Sequence, residues 1–263
     1  MQLALMTLPW YFFAFIIIGI SVAIALFGLV QVRKWVGVET LRQNHDVAGS
    51  TFGIIGLIYG VILGFTIVTV QERFNQAHLN LENEANALID LYRDSAVFPA
   101  IIRDDIRVRL REYVHHVMVD EWPKMMNQEK IRFAPPLAVT QLWEVYYKYT
   151  PDDVRQKAWY EASIANLNQF SDLRHSRIFN TRYSQGAMMW TLLIGGAIMT
   201  IFFMYFFASS NIYSQMLMTA CLTACIAFML FLVFTLDSVF TGGARLEPTV
   251  LVDTLQSFDN WKD

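Results

Sequence analysis

Four stretches of this chain are long and apolar enough to cross a lipid bilayer, and that constrains the fold before any other feature is weighed. A helix needs roughly 20 consecutive apolar residues to span the hydrocarbon core. Runs of that kind lie at residues 10–30, 47–70, 187–208 and 212–236. Within the second, only Ser50, Thr51, Tyr59, Thr66 and Thr69 carry polar side-chain atoms, and Asp46, Glu72, Arg182 and Asp237 stand just outside the runs. Trp10, Tyr11, Trp35, Trp190 and Tyr213 fall near run ends, where amphipathic rings favour the membrane interface. No charge precedes the first run, whereas a cleaved signal has a positive amino end, so this run is expected to be retained as a helix. Hydrophobic residues make up 55% of the chain and charged ones 16%, short of the roughly 25% usual in soluble domains.

The expected fold class is therefore an all-α integral membrane protein, with four transmembrane helices and a helical extramembrane domain between the second and third. Residues 1–70 hold the first pair of helices and 187–236 the second pair. Residues 71–186 differ in kind, because they carry 15 of the 20 Lys and Arg. Pro99, Pro123, Pro135, Pro136 and Pro151 divide them into helices. No Gly or Pro interrupts the chain between Gly64 and Pro99, and Phe74, Ala77, Leu81, Ala85, Leu88 and Tyr92 recur at helical spacing. The second membrane helix should therefore continue out of the bilayer as one helix of about 45 residues. Further helices are expected over 102–121, with Ile102, Ile106, Leu110, Tyr113 and Val117 on one face, and over 137–149. A fourth should start with Thr150 as N-cap, Pro151 in the first turn and Asp152 and Asp153 on the helix dipole. It could run through Ile164, Leu167, Phe170 and Ile178 into the third membrane helix. Ser209–Asn211 make a tight link, and 237–263 form a tail on the side of the amino terminus.

Membrane sidedness stays open. Arg33, Lys34 and Arg42 in the first link favour a cytoplasmic link and an outer domain, whereas Arg174, Arg177 and Arg182 before the third helix favour a cytoplasmic domain.

The second apolar run holds Gly49, Gly53, Gly56, Gly60 and Gly64 within sixteen residues. Small residues let helices approach closely in lipid, where van der Waals packing replaces the missing hydrophobic drive. Gly53, Gly56, Gly60 and Gly64 are thus helix-packing residues, either inside the protomer or around a symmetry axis. Ile55, Tyr59, Ile62, Thr66 and Thr69 lie roughly opposite and would face an axis or lipid. Apolar rings with hydroxyls suit a constriction that gates by dewetting. Glu72 and Arg73 follow at the mouth, where they could set ion preference or simply sit at the interface. Glu82, Glu84, Asn86 and Asp90 make the projecting helix acidic. Arg93, Arg103, Arg107, Arg109 and Arg111 offer compensating cations, so a cross-helix polar network is expected over catalysis.

The net charge of −3 and the absence of a basic stripe argue against nucleic acid as a partner. Cys221 and Cys225 lie in an apolar run without further ligands, so no metal is expected. The histidines at 45, 78, 115, 116 and 175 are scattered, and adjacent His115 and His116 point about 100° apart on a helix. No metalloprotease, nucleophile-elbow or phosphate-loop motif occurs. An enzyme is not expected, nor is a cofactor. No charge lies inside an apolar run, which disfavours proton pumping and voltage sensing but not passive conduction.

Several segments together resemble the bacterial bestrophin-like membrane proteins of unassigned function. They are Gly64-Phe65-Thr66, Glu82-x-Glu84-Ala85-Asn86-Ala87-Leu88, Leu110-Arg111-Glu112-Tyr113 and Glu121-Trp122-Pro123. Leu167-x-x-Phe170-x-Asp172-x-Arg174-x-x-Arg177 follows, then Leu236-Asp237-x-x-Phe240-x-Gly242 and Glu247-Pro248. The resemblance covers nearly the whole chain and marks Asp172, Arg174 and Arg177 for the domain's polar network. It implies the four-helix layout, a bacterial inner membrane and, through distant likeness to the pentameric bestrophin anion channels, self-association and passage of inorganic ions. The bestrophin calcium-clasp acids have no counterpart in this sequence.

The reading favoured is a subunit of a homo-oligomeric ion channel, with the glycine-rich helix near the pore axis and an apolar gate. The alternative is a membrane-anchored scaffold or sensor whose helical domain binds a protein partner. An intramembrane enzyme or lipid-handling protein would need polar groups converging at membrane depth, and only hydroxyls are available.

Overall fold

The structure, a computed structural model, describes residues 10–37, 45–182, 185–207 and 211–261. The expected link residues Ser209 and Ser210, and Arg42, lie outside them, as do the side chains of Trp10, Asp46 and Arg182. Among the described residues all regular structure is helical: α1 Trp10–Val36, α2 His45–Asp94, α3 Ala100–His116, α4 Trp122–Met126, α5 Leu137–Lys148, α6 Val154–Arg182, α7 Ala187–Met204, α8 Ile212–Asp237 and α9 Thr249–Asn260. Four of these, α1, α2, α7 and α8, are long and apolar enough to cross a membrane. The chain divides into two compact units, Met1–Glu72 with Ser184–Asp237, and Arg73–Tyr183 with Ser238–Asp263.

In the first unit α1 packs along α8. Ala14, Ala25 and Leu29 form the buried face of α1, with Phe13 meeting Phe231 at 6.4 Å between ring centroids. Near the other end of the pair, Arg33 donates to the side-chain oxygen of Gln215, which is itself buried. Gly37, at φ +81°, ends α1 in the left-handed conformation that favours glycine. Two close approaches tie in the remaining helices. A Cβ at Gly196 of α7 would overlap the Tyr59 ring of α2, and one at Gly28 would stand 2.7 Å from Tyr205 Oη. At most a third of each span's apolar window is buried inside the protomer, 17% in α1 and 33% in α8. Most of each apolar surface is therefore left for lipid or another protomer.

The second span does continue into the domain. α2 is one helix of 50 residues, about 75 Å long at 1.5 Å per residue. It ends where proline demands: a 3₁₀ turn at Ser95–Val97 leads to Phe98, held extended at ψ 159° before Pro99.

The helix expected over 102–121 is real but not regular. Its last turn, Val117–Glu121, is a π-turn, and the Trp122 N–H bonds back five residues to the Val117 carbonyl. Pro123 supplies the reason, since it has no N–H for the Val119 carbonyl and its ring crowds that turn. The wider turn also carries Glu121 inward, to 2% exposure.

α6 begins later than expected. Asp153, not Thr150, caps it: Asp153 Oδ1 accepts from the Gln156 N–H at 2.7 Å and its carbonyl from the Lys157 N–H at 2.9 Å. Nor does α6 run into the next span. It stops at Arg182, and α7 starts afresh after Gly186, whose carbonyl accepts from Met189 N–H at 2.9 Å.

The 237–263 segment is more than a tail, because α9 joins the core of the second unit. Leu251 and Phe258 are buried, and Phe258 stacks on Tyr92 at 4.3 Å and 10°. Around them lie Tyr113 edge-on to Phe170, Trp122 edge-on to Phe240, and the buried aliphatics Leu88, Leu91, Ile106 and Leu110.

Candidate functional site: the outward face of α2 and the charge network behind it

Successive residues of a helix turn by about 100°, so burial along α2 locates its faces. Phe52, Ile55, Tyr59, Ile62, Leu63, Thr66 and Val70 turn into the protomer; Tyr59 and Thr66 are only 6% and 5% exposed. Of the five residues expected to line a pore, these two are turned into their own protomer, where a Cβ at Gly196 would meet the Tyr59 ring. Ile55 and Ile62 are half-buried on the same side, and only Thr69 is exposed. The Thr66 and Thr69 hydroxyls donate back to the carbonyls of Ile62 and Phe65 at 2.8 and 2.9 Å. That arrangement satisfies them within the helix.

The glycines behave in the opposite way. A Cβ built at Gly53, Gly56, Gly60 or Gly64 meets nothing within 4 Å, and Gly53, Gly60 and Gly64 are exposed. Among the described residues, nothing in the protomer packs against these positions closely enough to demand glycine. Beside this bare flank stands a ridge of Leu57, Val61 and Val68, exposed by 69%, 48% and 65%. Glu72, exposed, follows on that face. Arg73 is half-buried and turns to another side of the helix, where it lines a cleft of the domain.

Within the domain, the network that the sequence suggested is built from different partners. Arg177 Nε donates to Glu84 Oε2 at 2.8 Å, and its Nη2 donates to Glu84 Oε1 at 3.2 Å, to Tyr113 Oη at 3.0 Å and to Glu121 Oε2 at 2.9 Å. Tyr113 Oη donates to Glu84 Oε1 at 2.5 Å. Arg174 Nη2 reaches Glu121 Oε1 at 2.7 Å, while its guanidinium also donates to the Phe133 and Ala134 carbonyls at 3.4 Å. Two acids and two arginines, all at 2% exposure or less, thus neutralise one another. Burial alone would raise the Glu121 carboxyl, but Arg177 and Arg174 outweigh it and hold the group below the ordinary carboxylate range. Burial, with the Glu84 charge beside it, pushes the Tyr113 phenol well up, so it stays a donor.

Three members of the expected network lie elsewhere. Asn86 and Asp172 are exposed, and Glu82 faces solvent beside His78 at 3.5 Å. Of the cations expected to compensate α2, Arg93 does so within that helix, holding Asp90 and Asp94, whereas Arg109 holds Asp105 and Glu112 and Arg111 holds Asp259 and Tyr92. Tyr113 and Glu121 were visible in the sequence only as parts of motifs. What marks Glu121 is its place just before Trp122-Pro123, where the π-turn must fall.

These features define an all-helical integral membrane protein with four membrane-length helices, one of which extends into a helical domain cemented by buried charge. The chain belongs to the bestrophin-like family, whose domain matches residues 19–251. It is similar in fold to a bacterial bestrophin homologue from Klebsiella pneumoniae. A singly substituted form of that protein gives a TM-score of 0.68 at 11% identity, covering 94% of this chain and 99% of the other. Another structure of it gives 0.61 at 13% identity, covering 94% and 99%. A structure of a membrane protein variant gives 0.66 at 12% identity, covering 93% and 98%. No curated protein matches the sequence.

Proposed function

We propose that this protein is a subunit of a homo-oligomeric ion channel that crosses a bacterial inner membrane four times, with α2 of each subunit nearest a central axis. The observation that carries this reading is the outward face of α2. Its bare glycine flank of Gly53, Gly60 and Gly64 meets nothing among the described residues of its own protomer within 4 Å of a built Cβ, and the apolar ridge of Leu57, Val61 and Val68 runs beside it. Glycine exposes backbone and costs helix stability, so a flank left to acyl chains would have no use for it. Against the same helix of a neighbouring subunit, it permits close approach. The ridge then turns to the axis and forms successive apolar rings, which conduct inorganic ions when wetted and close by dewetting. Thr69 and Glu72 stand at the domain-side end of that path. Family membership supports a channel at the same coarse level.

The test is reconstitution. Purified protein should run as an oligomer by light scattering, and liposomes containing it should pass ions faster than empty ones. A monomer, or flux at the level of empty vesicles, removes the channel reading. A stable oligomer without flux that captures a protein through its domain would favour the scaffold.

A further inference from the structure

The second unit holds a cleft of about 380 Å³ that the channel reading does not use. α2 supplies Arg73, Gln76 and Asn80 to one wall, and α6 supplies His175, Ser176 and Asn180 to the other. Among the described residues lining it there is one formal cation and no carboxylate. Gln76 Nε2 donates to Asn80 Oδ1 at 3.0 Å. That bond orients the pair and leaves both Asn80 N–H groups and one Gln76 N–H as donors, beside the Gln76 carbonyl oxygen.

The cleft is held in shape from behind. Arg174, locked onto Glu121, donates to the carbonyls of Phe133 and Ala134 at 3.4 Å. This fixes the loop whose Phe133 ring lies flat on His175, 4.7 Å between centroids and 5° from parallel. Phe133 and Phe179 leave 50% and 59% of their surface exposed along the same cleft.

Its place along the chain matters as much as its chemistry. Arg73 follows Val70, the end of the second apolar run, by three residues of unbroken helix. That is about 5 Å along the axis, within the headgroup layer that flanks a ~30 Å hydrocarbon core.

We propose that this cleft binds a phosphate group. The guanidinium and amide N–H donors satisfy its oxygens, and the exposed phenyl rings suit a ligand with an apolar portion. An anionic phospholipid headgroup and a free phosphate share this chemistry, and the experiment separates them.

Detergent-purified protein is examined by native mass spectrometry after addition of phosphatidylglycerol, or of diacylglycerol, which lacks the phosphate. In parallel, inorganic phosphate is titrated against thermal stability. Wild type should retain phosphatidylglycerol and not diacylglycerol. Arg73→Gln should weaken retention by about tenfold, the loss of one charge-assisted hydrogen bond. Ser176→Asp, which brings a carboxylate into the cleft, should weaken it at least as much, while Glu82→Gln, at a half-exposed residue that does not line the cleft, leaves it unchanged. Retention that excess inorganic phosphate does not displace identifies the lipid. Stabilisation by inorganic phosphate without lipid retention identifies the free anion. Equal retention of both lipids together with no response to phosphate overturns the proposal, using wild type alone. Undiminished binding in both folded variants does the same. Every readout is independent of conductance, so failure of the channel reading would leave this result standing.

Discussion

Arg177 and Glu84, 93 residues apart in the chain, meet through two hydrogen bonds in a place closed to solvent. The pair joins α6 to α2, and through Glu121 and Arg174 it also fixes the π-turn and the Phe133 loop. Bringing charges into a low-dielectric interior is costly, and only full mutual satisfaction offsets it. Removing one member should therefore hurt more than the pair's net worth suggests. Arg177→Met leaves Glu84 and Glu121 facing each other with Arg174 alone to compensate. The expected loss is about 3–5 kcal/mol of stability, read by unfolding in detergent, against a change within about 0.5 kcal/mol for surface Glu82→Gln. Equal unfolding midpoints for the two variants would show that the network contributes little.

Acid should unfold this domain through the same network. Glu121 is held below the ordinary carboxylate range, burial being outweighed by its two arginines. In the window between its folded and unfolded pKa values the unfolded state binds more protons, so stability rises with pH. The contribution is complete above the ordinary range of about 4.3 and is lost as pH falls through the depressed value. Asp94 works with the opposite sign. Burial raises its carboxyl despite hydrogen bonds from Arg93 and Asn166, so its contribution holds at low pH and fades as pH rises through the raised value. Glu121→Gln should flatten the acid limb of the stability–pH curve, whereas Asp94→Asn should steepen it. Parallel curves for wild type and both variants would refute the assignment.

Two glycines should respond in opposite ways to the same change. Gly196→Ala drives a methyl into the Tyr59 ring inside the protomer. Overpacking of that kind costs roughly 1–3 kcal/mol, so the unfolding midpoint should drop. Gly60→Leu meets open space in its own protomer. It should leave protomer stability near wild type while splitting the oligomer, because the bulky side chain holds neighbouring helices apart. Unchanged mass by light scattering for Gly60→Leu would count against the packing of α2 around an axis.

The sequence made the four apolar helices and the long α2 legible, because length and uninterrupted composition decide both. It could not say which side of α2 faces in. In a helix that is apolar all round, periodicity no longer separates core from outside, and the decisive partner of Tyr59 is Gly196 on another span. The charge network was half legible: Glu84, Arg174 and Arg177 stood in recognisable motifs, but their meeting depends on the turn that Pro123 imposes. α9 could have been found. Leu251, Leu255 and Phe258 keep helical spacing.

That helix gives a direct test of its own importance. Phe258 lies at 2% exposure and stacks on Tyr92, while neighbouring Asp259 takes Arg111. Phe258→Ala removes a buried ring and should cost about 3–5 kcal/mol. Asp259→Asn, at an exposed ion pair, should cost about 0–1 kcal/mol. Thermal unfolding that treats the two alike would mean that α9 adds little to the core.

The channel reading turns on which α2 side chains meet the ion, and burial along the helix orders the choices. Val61 belongs to the outward ridge, at 48% exposure, whereas Tyr59 is buried against α7. Val61→Ser places a hydroxyl from every subunit at one level of the path and lowers the cost of wetting it. A barrier lower by only ~1.4 kcal/mol corresponds to about tenfold in rate, so liposome flux should rise by at least that order. Tyr59→Phe removes a hydroxyl buried inside the protomer and should leave flux unchanged. Ile62→Ser, on the half-buried side, should act through protomer stability and not through conductance. If Val61→Ser left flux untouched while Tyr59→Phe or Ile62→Ser raised it, the ion would have to pass along the other side of α2, and the glycine flank would lose its place beside the pore.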